Sequence, residues 1–130
     1  MKANELMIDD WVYNKNIAKP MQIYPTIFSQ MFRSNPNATT EDYNIFPIPL
    51  TPEILEKNGF EVTRNISSSR NKDVWSLHVS KYKIFYITEH HNKKKFPYFW
   101  IDIGSNSDIK YVHQLQHALR LCGIEKEIVV

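Results

Sequence analysis

Residues 107–124, SDIKYVHQLQHALRLCGI, decide the fold class. Tyr111, Val112, Leu115, Ala118, Leu119 and Cys122 recur at helical spacing and gather into one apolar stripe. Lys110, His113, His117 and Arg120 fall on the other side. Ser107 or Asp108 can cap the first turn, and an acid there suits the helix dipole. Gly123 supplies a left-handed C-terminal residue, and Ile124 behind it reaches back to Leu119. An amphipathic helix of this kind needs a surface to lie on, and the β-rich segment before it is the expected one.

That segment reads as a meander. Trp75, Leu77 and Val79 alternate with Ser76, His78 and Ser80, which predicts a half-buried strand. Residues 82–88 are apolar on both faces and read as a central strand. Residues 90–95, HHNKKK, read as a hairpin tip, and residues 96–103 as the returning strand. Further upstream, Thr51, Pro52 and Glu53 form a helix start, with proline where its missing N–H costs nothing. Asn58 and Gly59 close that helix, so it spans 52–58. Residues 61–66 are a further strand.

The first fifty residues are less regular. Leu6, Ile8 and Val12 suggest a strand entry, with Asp9 and Asp10 turning the chain. Pro20 and Pro25 lie in residues 17–32, which read as edge strands or irregular pieces. Residues 33–44, RSNPNATTEDYN, read as the most mobile internal loop, and residues 46–50 as a stiff extended connector. The final residues, Ile128, Val129 and Val130, suggest a short edge strand. The expected architecture is α+β in a single domain, 1–130. A β-rich N-terminal lobe (1–50), of a size to form a small SH3-like barrel, precedes a helix, meander and C-terminal helix (51–130).

Bulk properties limit the function classes. The 130 residues carry a net charge of +2, with 5 basic and 7 acidic side chains in residues 1–60 and 11 and 7 in the remainder. That asymmetry is far below a nucleic-acid footprint. Cys122 is the only cysteine, which removes an internal disulfide and any multi-cysteine metal site. With neither an apolar leader nor a membrane-length apolar run, the chain is expected in the cytoplasm, off the membrane.

Two ordered motifs carry a resemblance. Ile48-Pro49-Leu50-Thr51 with Leu55 and Gly59-Phe60, followed by Tyr111-Val112-His113-Gln114-Leu115-Gln116, is similar to a group of small uncharacterised proteins from gut Bacteroidota, their phages and prophages. In that group E-L-x-I-G-N-x-V stands near the N-terminus; here Asp9-Asp10 replaces Gly-Asn. The resemblance implies a mobile-element setting and brings no activity with it.

Candidate chemistry is sparse. His113 and His117, four apart, have metal-chelating spacing, but Lys110 and Arg120 flank them and no acid shares their face. The glycines Gly59, Gly104 and Gly123 are scattered, which excludes a P-loop or dinucleotide fingerprint. Cys122 and His117 diverge around the helix. Glu89 and Asp102 lie on consecutive expected strands and could face each other. No catalytic residue, metal or cofactor is expected. The leading expectation is a non-enzymatic, protein-binding accessory protein with an unknown protein partner, presenting His113, Gln114, Gln116, His117 and Arg120. The alternative is a single-stranded nucleic-acid binder using Lys93, Lys94 and Lys95 with the aromatics Tyr98 and Trp100.

Overall fold

The computed structural model describes residues 1, 5–34, 39–64, 72–81, 83–90, 98–102 and 106–130. The fold is α+β, with two antiparallel sheets. The chain divides into two compact units, one formed by residues 1–49, 111–116 and 130, the other by residues 50–110 and 117–129.

The first unit contains β1 (Trp11–Asn14), β2 (Lys19–Gln22) and β3 (Ile45–Pro47), in the order β2-β1-β3. It is an open three-stranded sheet among the described residues, which corrects the barrel expected for this lobe. Pro20 sits on the edge strand β2, where a missing N–H breaks no inner ladder. Helix α1 (Pro25–Ser34) replaces the irregular segment expected there. Pro25 is its first residue, where proline is tolerated, and Ile27, Phe28 and Met31 lie at helical spacing. The prolines had masked that periodicity. Leu6, Val12, Ile23, Met31 and Ile45 form a buried cluster, with Ile27, Phe28 and Tyr43 packed against it. Within the expected loop 33–44, Thr40–Tyr43 forms a 3-10 turn. There Asp42 accepts from the Thr39 N–H at 3.2 Å, and Thr40 is buried.

Asp9 turns the chain with φ +73, the left-handed conformation for which glycine is best suited. The expected turn forms without glycine, because Asp10 supports it: its buried carboxylate accepts from the Met7 N–H at 2.7 Å, while its carbonyl accepts from the Ile23 N–H at 2.8 Å.

The second unit holds β4 (Glu61–Arg64), β5 (Lys72–Ser80), β6 (Lys83–His90), β7 (Tyr98–Asp102) and β8 (Asn106–Ile109), paired in chain order. Residues 107–109, expected to open the last helix, therefore belong to an edge strand. Trp75, Leu77, Phe85, Ile87, Phe99 and Ile109 are buried. Val79 is exposed, against the alternation, because the ladder slips between His78 and Ser80. Strand β6 is central in the order, yet only one of its faces is buried.

Helix α2 (Pro52–Lys57) has the expected start: the Thr51 hydroxyl accepts from the Ile54 N–H at 3.3 Å. It ends in a Schellman motif, with Gly59 at φ +85, Gly59 N–H donating to Glu56 and Phe60 N–H to Leu55. Helix α3 (Val112–Leu121) ends in the same way. Gly123 has φ +68 and donates to the Arg120 carbonyl, and Ile124 N–H donates to that of Leu119 at 2.9 Å. Its stop is the one expected; its start is five residues later. The C-terminal tail forms no strand. Instead the buried Asn58 amide clamps Val129, donating to its carbonyl at 2.7 Å and accepting its N–H at 2.8 Å.

Candidate functional site

Most of the polar residues of α3 are committed to the fold. Gln114 caps the helix: its side chain accepts from the Tyr111 N–H at 3.1 Å, the reciprocal half of a capping box. His113 is 2% exposed, and its ring stacks on Tyr111, with centroids 5.8 Å apart and planes within 9°. Gln116 is 7% exposed and bridges across the first unit. It accepts from the Trp11 N–H at 2.9 Å and donates to the Asp9 carbonyl at 3.0 Å. The exposed face expected for His113 and Gln116 is thus corrected to a buried one. His117 is half-buried and Arg120 exposed. The five side chains do not form one presented surface.

These contacts explain the resemblance motifs. Gln116 ties the last motif to the first, at Asp9 and Trp11. Ile48 in the middle motif accepts from the Val112 N–H at 2.9 Å, and Pro49 bridges to Tyr111. Leu50 N–H donates to Lys110 at 2.9 Å. Gly59 and Phe60 close α2. The motif residues hold distant segments in register.

The other candidates fare differently. Glu89 opposes Asp73 on one side and Phe99 on the other, whereas Asp102 opposes Asn106, so the two residues are not register partners. Among the described residues, no three His, Cys, Asp or Glu side chains gather as metal ligands. Lys93, Lys94 and Lys95 lie outside the described residues, and Tyr98 and Trp100 are placed on β7 by backbone register. No helix among the described residues is long and apolar enough to cross a membrane.

A different surface stands out. On the outer face of the five-stranded sheet, Tyr86 is 55% and Ile84 38% exposed. Opposite them on β5 lie Ser76 and His78, and Val74 and Thr88 continue the face as half-buried positions. The signal is in the sequence: Ile84 and Tyr86 alternate with Phe85 and Ile87, and a run apolar on both faces marks the central strand without saying which face is covered. An antiparallel sheet can leave one face open to water, and here it does so with large apolar side chains.

Comparisons with protein-family models, curated proteins and solved structures return no match to this chain.

Proposed function

We propose that the chain is a non-enzymatic protein-binding module that docks its partner on the outer face of the five-stranded sheet. The exposure of Tyr86 and Ile84 on adjacent β-strand positions of one face carries this reading. An apolar aromatic face is the kind of surface that protein interfaces bury at their centre. The sequence resemblance supports an accessory role in a phage or prophage, acting in the host cytoplasm. The test is quantitative capture from host extract with the wild type and with an Ile84→Ser/Tyr86→Ser variant. Both side chains are exposed, so the variant should stay folded, and its melting curve checks this. A captured protein that disappears with the variant supports the proposal. Capture that the variant leaves undiminished, or no reproducible protein, counts against it.

A further inference from the structure

We infer that the partner segment docked on this face is a positively charged stretch of polypeptide bearing apolar side chains. The inference rests on the docking function proposed above and adds the partner's charge. It comes from what surrounds Tyr86. The register aligns Glu61, Ser76 and Tyr86 across β4, β5 and β6, with Glu61 exposed on the edge strand. The neighbouring row runs Thr63, Val74, Thr88, Trp100 and Asp108, and Asp108 is exposed on the opposite edge. Carboxylates therefore stand on both flanks of the apolar strip.

Among the described residues, the lysines of this sheet lie at its turns and strand ends, with Lys81 exposed in the turn between β5 and β6 and Lys110 exposed just after β8. Lys83, next in sequence to Ile84, alternates with it and donates its ammonium to the Cys122 carbonyl at 2.7 Å. Lys72, opposite His90, lies at the far end of the two central strands from Ile84. An apolar strip with an acidic rim favours basic partners, since rim charges steer the encounter and penalise like charge. Nucleic acid is a poor occupant, because its affinity comes from cations that replace phosphate counterions.

Selection of a random peptide library on the immobilised protein, with counter-selection on the folded Ile84→Ser/Tyr86→Ser variant, tests this. The expected pool is enriched in Lys and Arg together with apolar residues. Its peptides should bind a Glu61→Gln/Asp108→Asn variant about fivefold more weakly, with a flatter salt dependence. A pool that depends on Tyr86 but is neutral or acidic overturns the charge inference alone. A pool that binds the counter-selection variant equally well, or no enriched pool, overturns the docking reading itself. Oligothymidylate binding that Tyr86→Ser abolishes would assign the face to nucleic acid instead.

Discussion

The three-stranded sheet depends on side chains from the other end of the chain, whereas the five-stranded sheet is assembled from consecutive hairpins. In the first, the turn at Asp9 and the start of β1 are held by Gln116, more than a hundred residues away in sequence. In the second, every strand pairs with its neighbour in the chain. Short-range pairing needs only alternation and turns. Long-range closure needs a specific polar side chain delivered to a specific pair of backbone groups. The largest consequence of this difference should appear at Gln116. Replacing it with alanine removes the Gln116 acceptor of the Trp11 N–H and one of two donors to the Asp9 carbonyl, the other being the Gln22 amide at 3.1 Å, in a part-buried site, at a cost of about 3 kcal/mol. Asn58→Ala, in the other unit, removes three hydrogen bonds, one to the Ile54 carbonyl and two to Val129, which is exposed, so that water can replace the two at the tail. A cost of about 1–2 kcal/mol is expected there. Denaturant unfolding compares the two, and amide exchange at Trp11 should accelerate only in Gln116→Ala. Equal, small costs for both would erase the contrast between the units.

The same difference explains what could be read in advance. Alternation identified β5 as far as Leu77 and failed at Val79, where the ladder slips. Cap chemistry identified both ends of α2 and the end of α3, since each depends on residues within one turn. It failed at the start of α3, where Ser107 and Asp108 looked like caps and Tyr111 with Gln114 supplies the cap instead. Helix α1 is hard to read because Pro25 cannot donate to a strand ladder, which suggests an edge or irregular piece, yet at the first position of a helix its missing N–H costs nothing. His113 and Gln116 were assigned to solvent because they are polar. A buried polar residue with a distant partner has no periodic signature. The exposed Ile84 and Tyr86 present the converse problem: periodicity cannot tell which apolar face of a central strand is covered.

Backbone handedness gives a second, smaller contrast. Gly59 and Gly123 hold positive φ at helix ends, and a Cβ added at either would meet nothing within 4 Å. Alanine at Gly123 should therefore cost only the backbone penalty, about 1 kcal/mol, with no steric addition. At Asp9 the same conformation is held by a non-glycine residue with φ +73. Asp9→Gly should run the other way and stabilise by up to about 0.5 kcal/mol, the relief partly offset by a freer unfolded chain. Adding Asp10→Asn should be tolerated, since an amide oxygen can still accept from Met7. The double variant places Gly-Asn at this turn. Thermal unfolding of these variants separates conformational strain from lost contacts; marked destabilisation by Asp9→Gly would show that the Asp9 side chain itself anchors the turn.

The smallest effect concerns the chain's first residue, tied into the three-stranded unit by charge. The Met1 ammonium lies 2.7 Å from Glu41 Oε1, and the Met1 carbonyl accepts from the Thr40 N–H at 2.8 Å. Hydrogen bonding to that ammonium is the main cause lowering the Glu41 pKa. A carboxylate whose pKa is depressed by folding contributes stability above its unfolded pKa and loses it as pH falls through the folded one. Glu41 is 39% exposed, so water and salt screen the pair, and Glu41→Gln should cost only about 0.5 kcal/mol at neutral pH. Acidification should narrow the gap between variant and wild type as Glu41 becomes protonated, and high salt should shrink it as well. The backbone bonds of Thr40 remain in either case. Unfolding curves of the two proteins, measured from neutral to acidic pH, should therefore converge. Curves that stay parallel would assign the cost to packing around Met1 rather than to its charge.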